Sequence, residues 1–128
     1  MTSNLTQQLI QIEDLIPETN IVATIRQDVA TIAKRCHLKF QESYDDLDFL
    51  VFAILPLPQT SRVVLISHQN APVQCIEICV RYDREDVGTA ISETFKILKL
   101  TPEDLTWIDP KYAREIDITP RSGKVGKL

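Results

Sequence analysis

Glycine is scarce in this chain: three in 128 residues, Gly88, Gly123 and Gly126. They form neither a phosphate-cradling loop nor a dinucleotide fingerprint, both of which need several glycines at short fixed spacing so that backbone can approach phosphate. Cysteine is equally sparse, and its count is odd. Cys36, Cys75 and Cys79 do not suggest a disulfide framework and fit a reducing compartment. No Lys or Arg precedes Arg26 and no continuous apolar core follows the first residues, so no secretory signal is expected. Nor does any apolar run approach the roughly 20 residues of a membrane helix, because Pro56 and Pro58 cut the longest one. The expected location is therefore cytoplasmic, with no membrane partner. Basic residues are outnumbered, 14 Lys and Arg against 18 Asp and Glu for a net charge of -4. That balance speaks against nucleic acid as a partner, since phosphate binding leans on a basic face.

What is present is a long, weakly charged middle. From Phe49 to Val80 only Arg62 and Glu77 carry charge. The runs Phe49–Leu55, Val63–Ile66 and Val73–Val80 are rich in β-branched and aromatic residues and are separated by Pro, Gln, Asn and Ser, which predicts strands joined by short turns. Leu38 to Leu55 reads as a hairpin with its loop at Tyr44–Asp48. Its first strand alternates, with Leu38 and Phe40 on one side. Further strands are expected at about 62–68 and 73–82, and connections this short permit only antiparallel neighbours. In the last of them Ile76, Ile78, Val80 and Tyr82 point to the core, while Cys75, Glu77, Cys79 and Arg81 form a second face at most half-buried.

Helices flank that middle. Leu5, Leu9, Ile12 and Ile16 make one amphipathic stripe, ended by Pro17. Thr19 or Asn20 caps a second predicted helix reaching His37, with Ile21, Val22, Ile25, Val29, Ile32, Ala33 and Cys36 on one face and Lys34 and Arg35 in the last turn. Asp83 caps a third, about 84–99, with a buried stripe of Val87, Ala90, Ile91, Phe95 and Leu98; Gly88 marks close packing on the sheet. Thr101-Pro102-Glu103-Asp104 carries a start signal for a short helix ending near Ile108. The expected fold class is α+β, a four-stranded antiparallel meander with helices before and after it, packed mainly on one face. One domain over residues 1–112 is expected, followed by a weakly ordered tail, 113–128, with an edge strand at Glu115–Thr119.

Chemistry-bearing residues form no motif. Cys75 and Cys79, four apart on a strand, would have Cα atoms about 13 Å apart, too far to share an ion or to bridge. Cys36, Cys75 and Cys79 can each be paired with His37 or His68, and nothing selects a nucleophile and base among them. Cys36 also sits at a helix C-terminus, the wrong end to lower a thiol pKa. The acidic loop Asp45-Asp46-Leu47-Asp48 lacks the glycine and the later Glu of a calcium loop and reads as a solvated tip. No catalytic residue, metal or cofactor is therefore expected. Arg121, Lys124 and Lys127 read as a solvated basic terminus.

The order of helix, meander and helix over about residues 20–100 resembles the type III secretion chaperone-like fold. The resemblance implies a non-enzymatic, protein-binding, adaptor or chaperone-like role and self-association. The expected interface is the sparsely charged sheet, through Val51, Ala53, Leu55, Val64 and Ile66, with Trp107 either sealing the core or adding to the contact. A homodimer is the expected assembly. The alternative is a small enzyme or metal-binding protein built on Cys75, Cys79 and His68.

Overall fold

The computed structural model describes residues 19–44, 48–58, 62–70, 74–81 and 86–113. The expected helix over 4–16, the Asp83 cap, the edge strand at Glu115–Thr119 and the basic tail lie outside the described residues.

The class is α+β with an antiparallel sheet, as the sequence suggests, but among the described residues the sheet has six strands rather than four. In chain order the elements are β1 (Thr19–Ile25), α1 (Val29–Cys36), β2 (Gln41–Tyr44), β3 (Phe49–Leu55), β4 (Val63–His68), β5 (Ile76–Arg81) and α2 (Val87–Ile97). A 3-10 turn (Pro102–Asp104), β6 (Leu105–Ile108) and α3 (Pro110–Ala113) complete them. The sheet order is β2-β3-β4-β5-β1-β6. The four expected strands form the meander β2 to β5, and β1 and β6 extend it past β5.

Two expected helices are corrected. Thr19–Ile25 is a strand, not the start of a helix, because a bulge at Val22 turns both Val22 and Ala23 into the core while Ile21 pairs with Cys79 and Ala23 with Ile78. The result, Val22, Ala23 and Ile25 buried, imitates a helical stripe. The helix begins only at Val29. Asp28 is its cap, its carboxylate accepting from the backbone N–H of Thr31 at 2.7 Å and from the Thr31 hydroxyl at 3.0 Å. Leu105–Ile108 is also a strand: the expected start signal produces one 3-10 turn, closed by a capping box between Thr101 and Asp104. Leu105 pairs with Ile25 and Trp107 with Thr24, leaving Thr106 as the bulge residue. Leu38 and Phe40 precede β2 but keep the expected side, partly buried against the core while Lys39 and Gln41 are exposed.

One face of the sheet carries the main core. Leu55, Val63, Leu65, Ile76, Ile78 and Val80 meet Ile32 of α1 and Val87, Ala90, Ile91 and Phe95 of α2. Every stripe residue expected for α2 is buried, and so is Gly88. Thr94, also buried, donates its hydroxyl to the Ala90 carbonyl at 2.8 Å. The two helices meet at their C-termini, where the Arg35 guanidinium donates to the Leu98 carbonyl at 3.1 Å and the Cys36 thiol approaches the Ile97 carbonyl. Tyr112 and Ala113 of α3 pack on the same core, so each described helix lies on this first face.

Candidate interaction face

Strand register defines the second face. Residues paired directly across antiparallel strands point to the same side, and three such rows cross the sheet. Gln41, Phe52, Ile66, Glu77, Thr24 and Trp107 form one that touches all six strands. Ile54, Val64, Cys79 and Ile21 form a second over β3, β4, β5 and β1. Ser43, Leu50 and His68 form the third.

The face is apolar in the middle and polar at one side. Leu50, Phe52, Val64, Ile66 and Cys79 are a buried cluster separate from the main core. Cys79, expected to be at most half-buried, is only 2% exposed. In its own row the outer members behave differently: Ile21 is 42% and Ile54 38% exposed. Beside the cluster the His68 Nε2 lies 3.6 Å from the Glu77 carboxylate. At the β6 edge the hydroxyls of Thr24 and Thr106 are 2.7 Å apart, and Thr106 donates to the Thr24 carbonyl at 3.0 Å, which pins the bulge beside half-buried Trp107.

The six residues expected at an interface are not brought together. Val51, Ala53 and Leu55 belong to the first face, since Leu55 pairs with Val63 and Ala53 with Leu65, and Ala53 and Leu55 are buried. Val64 and Ile66 lie on the second face and are buried there within a single chain. Val51 and Trp107 are half-buried. Among the described residues the exposed large apolar side chains are instead Ile21, Ile54 and Phe49, the last 55% exposed at the β2–β3 corner with its ring edge-on to Tyr44. Leu55 and Val63 flank the β3–β4 connection and pair, which sets Ile54 beside Val64; the connection does not by itself dictate that register. Ile21 was hidden by the bulge that follows it.

Nucleophile and metal chemistry find little support in this geometry. Burial, and then the negative charge of Glu77, push the Cys79 thiol far above its ordinary range, and the same two causes raise Cys75. Both thiols are thus held protonated, the unreactive form. Among the described residues no group of three or more His, Cys, Asp or Glu could hold a metal ion. Asp48, at the expected solvated tip, is used structurally. Its carboxylate accepts from the Asn70 backbone N–H at 2.8 Å, from the Asn70 side-chain amide and from the Phe49 N–H at 2.7 Å, which ties the β2–β3 turn to the β4–β5 turn. No described helix is long and apolar enough to cross a membrane.

Comparison with known proteins adds no assignment: no protein family, curated protein or solved structure matches the chain.

Proposed function

We propose that the protein is a non-enzymatic, protein-binding domain of adaptor or chaperone-like kind that works as a homodimer through the second face of its sheet. The observation that carries this reading is the pair Ile21 and Ile54, two large exposed side chains on opposite margins of a buried apolar cluster, on the face that no described helix packs against. Exposed apolar groups beside a buried cluster of this kind are what a protein interface uses as its anchor and rim. A contact between copies of one chain about a two-fold axis would bring the Ile21 margin of one protomer to the Ile54 margin of the other. We rest the same role on the resemblance to the type III secretion chaperone-like fold expected from the order of helix, meander and helix. The cytoplasm is the compartment proposed, on the unpaired cysteines Cys36, Cys75 and Cys79.

Light scattering over micromolar concentrations tests it. The full chain is expected to run as a dimer and the Ile21→Lys/Ile54→Lys variant as a monomer. A wild-type monomer throughout that range contradicts the reading.

A further inference from the structure

The net charge of -4 conceals a local excess of the opposite sign. α1 closes through Lys34-Arg35-Cys36-His37 and α2 runs out through Lys96-Ile97-Leu98-Lys99. These two ends meet: the Arg35 guanidinium donates to the Leu98 carbonyl at 3.1 Å, and the Cys36 thiol lies 3.9 Å from the Ile97 carbonyl. Lys34, His37, Lys96 and Lys99 each stand beside one of those contact residues in the chain, and Lys39 follows shortly after His37. Between Asp28 and Glu42, and again between Glu93 and Glu103, the chain holds no acid. Lys34, Arg35, Lys39, Lys96 and Lys99 are all exposed, and among the described residues none of them pairs with a carboxylate. We infer that this corner, where the C-termini of α1 and α2 meet, docks an acidic segment of a partner protein.

Helix dipoles explain only part of the cluster. Each C-terminus carries about half a negative charge, so the two ends balance about one of the five cations. The remaining like charges repel one another, which a purely structural corner would relieve with an acid. Backbone conformation is an independent sign. Among the described residues, His37 at φ 56° and Lys99 at φ 58° are the two non-glycine residues with positive φ. Glycine or asparagine ordinarily ends a helix in this way, with less crowding at Cβ. Here an imidazole and an ammonium side chain occupy both positions, at the margin of one basic patch. Backbone strain retained twice at a single spot is a mark of a functional surface.

Charge and composition select the kind of partner. Screening confines the field of the corner to about 8 Å at physiological ionic strength. A nucleic-acid duplex or an anionic membrane extends well past that range and meets a chain whose remainder is more acidic than the total of -4, with exposed Glu42 and Glu103 next along the chain on either side. A short acidic segment stays within the corner, since six extended residues span about 20 Å. Leu38, Phe40 and Leu100, next to Lys39 and Lys99 in the chain, are partly buried against the core. They offer the apolar contact that a protein interface combines with its polar rim and that a phosphate backbone does not use. The corner belongs to the helical side of the sheet, opposite Ile21 and Ile54, so it goes beyond the dimer proposed above and does not depend on it.

Fluorescence anisotropy of a fluorescein-labelled hexaglutamate peptide, titrated with the full chain, tests the inference. Binding is expected at about 50 mM salt and should weaken by about fivefold or more at about 200 mM. Lys99→Glu should lower the affinity by about fivefold or more. Arg26→Glu makes the same change of charge at an exposed residue before the Asp28 cap, at the far end of α1, and should leave the affinity within about twofold. Lys99→Gly keeps the left-handed turn, so it should melt no lower than the wild type and still bind more weakly. Equal losses in Lys99→Glu and Arg26→Glu, undiminished binding by Lys99→Gly, or no binding of the peptide at the lower salt overturns the inference. Tighter binding to a short DNA duplex or to phosphatidylserine vesicles than to the peptide overturns the choice of partner. None of these readouts requires a dimer, so the corner and the second face fail separately.

Discussion

The meander β2 to β5 and the pair β1 and β6 share one sheet but are built by different rules. Between β3 and β4 the register runs without a break over six pairs, from Leu50 with His68 to Leu55 with Val63. Side chains there alternate strictly between the main core and the second face. β1 and β6 each carry an irregularity, at Val22 and at Thr106, and each places inward residues three apart: Val22 and Ile25 in one, Leu105 and Ile108 in the other. A bulge lets a strand bury two successive residues on one side. The regular half therefore draws its stability from packing on both faces, and the bulged half from packing on one face together with particular hydrogen bonds.

Truncation in the centre should do most damage. Leu65 is wholly buried on the middle strand β4, so Leu65→Ala is expected to lose about 3–5 kcal/mol. Leu105→Ala, on the edge strand β6, should lose about 2 kcal/mol, because an edge site can relax around the cavity. Urea unfolding with a shared slope measures both, and equal losses would erase the distinction between the halves.

Hydrogen bonds should matter more in the bulged half. Thr106→Val keeps the shape but removes the hydroxyl contacts to Thr24, an expected loss of about 1 kcal/mol. A double-mutant cycle with Thr24→Val should return most of that as coupling energy. No coupling would mean that the bulge is set by packing alone.

Asp48 forms an electrostatic clasp between two turns of the meander. Bonding from the Asn70 backbone N–H holds the Asp48 carboxyl below the usual range, and the N–H and hydroxyl of Thr31 do the same for Asp28. A carboxyl whose pKa is lower folded than unfolded stabilises the fold above the unfolded value of about 4 and loses that contribution as pH falls through the folded one. Urea midpoints of the wild type should therefore drop between about pH 5 and pH 2, and Asp48→Ala should show a smaller drop. An identical drop in both would exclude the clasp.

The smallest effect is expected at the helix ends. His37 at φ 56° and Lys99 at φ 58° occupy the left-handed region at the end of α1 and just past α2. Lys99→Gly relieves the Cβ crowding there and should raise stability by up to about 1 kcal/mol. A loss instead would show that the lysine stem contributes more than the backbone strain removes.

The two halves also differ in how far they can be read from residues alone. Alternation in Ile76-Glu77-Ile78-Cys79-Val80 and the clear breaks at Pro56 and Asn70 are enough to place β3, β4 and β5, and a stripe of period 3.6 is enough to place α2. Spacing could not reveal β1 and β6, because a bulge converts period two into the three-residue step of a helix, and Pro102 supplied a true start signal to a helix one turn long. The site was legible in kind only. A chain apolar on both sides of its sheet is visible from the low charge of Phe49 to Val80, whereas the side on which Ile54 or Val64 stands depends on a register that the β3–β4 connection alone does not announce.

Methyl NMR of isoleucine-labelled full chain over a concentration series tests whether the protein meets another copy through its second face, as we propose. Resonance shifts are expected at Ile21 and Ile54, with Ile32, Ile78 and Ile91 of the main core unmoved. Shifts at the core isoleucines instead, or none at Ile21 and Ile54 across the micromolar range, would contradict it.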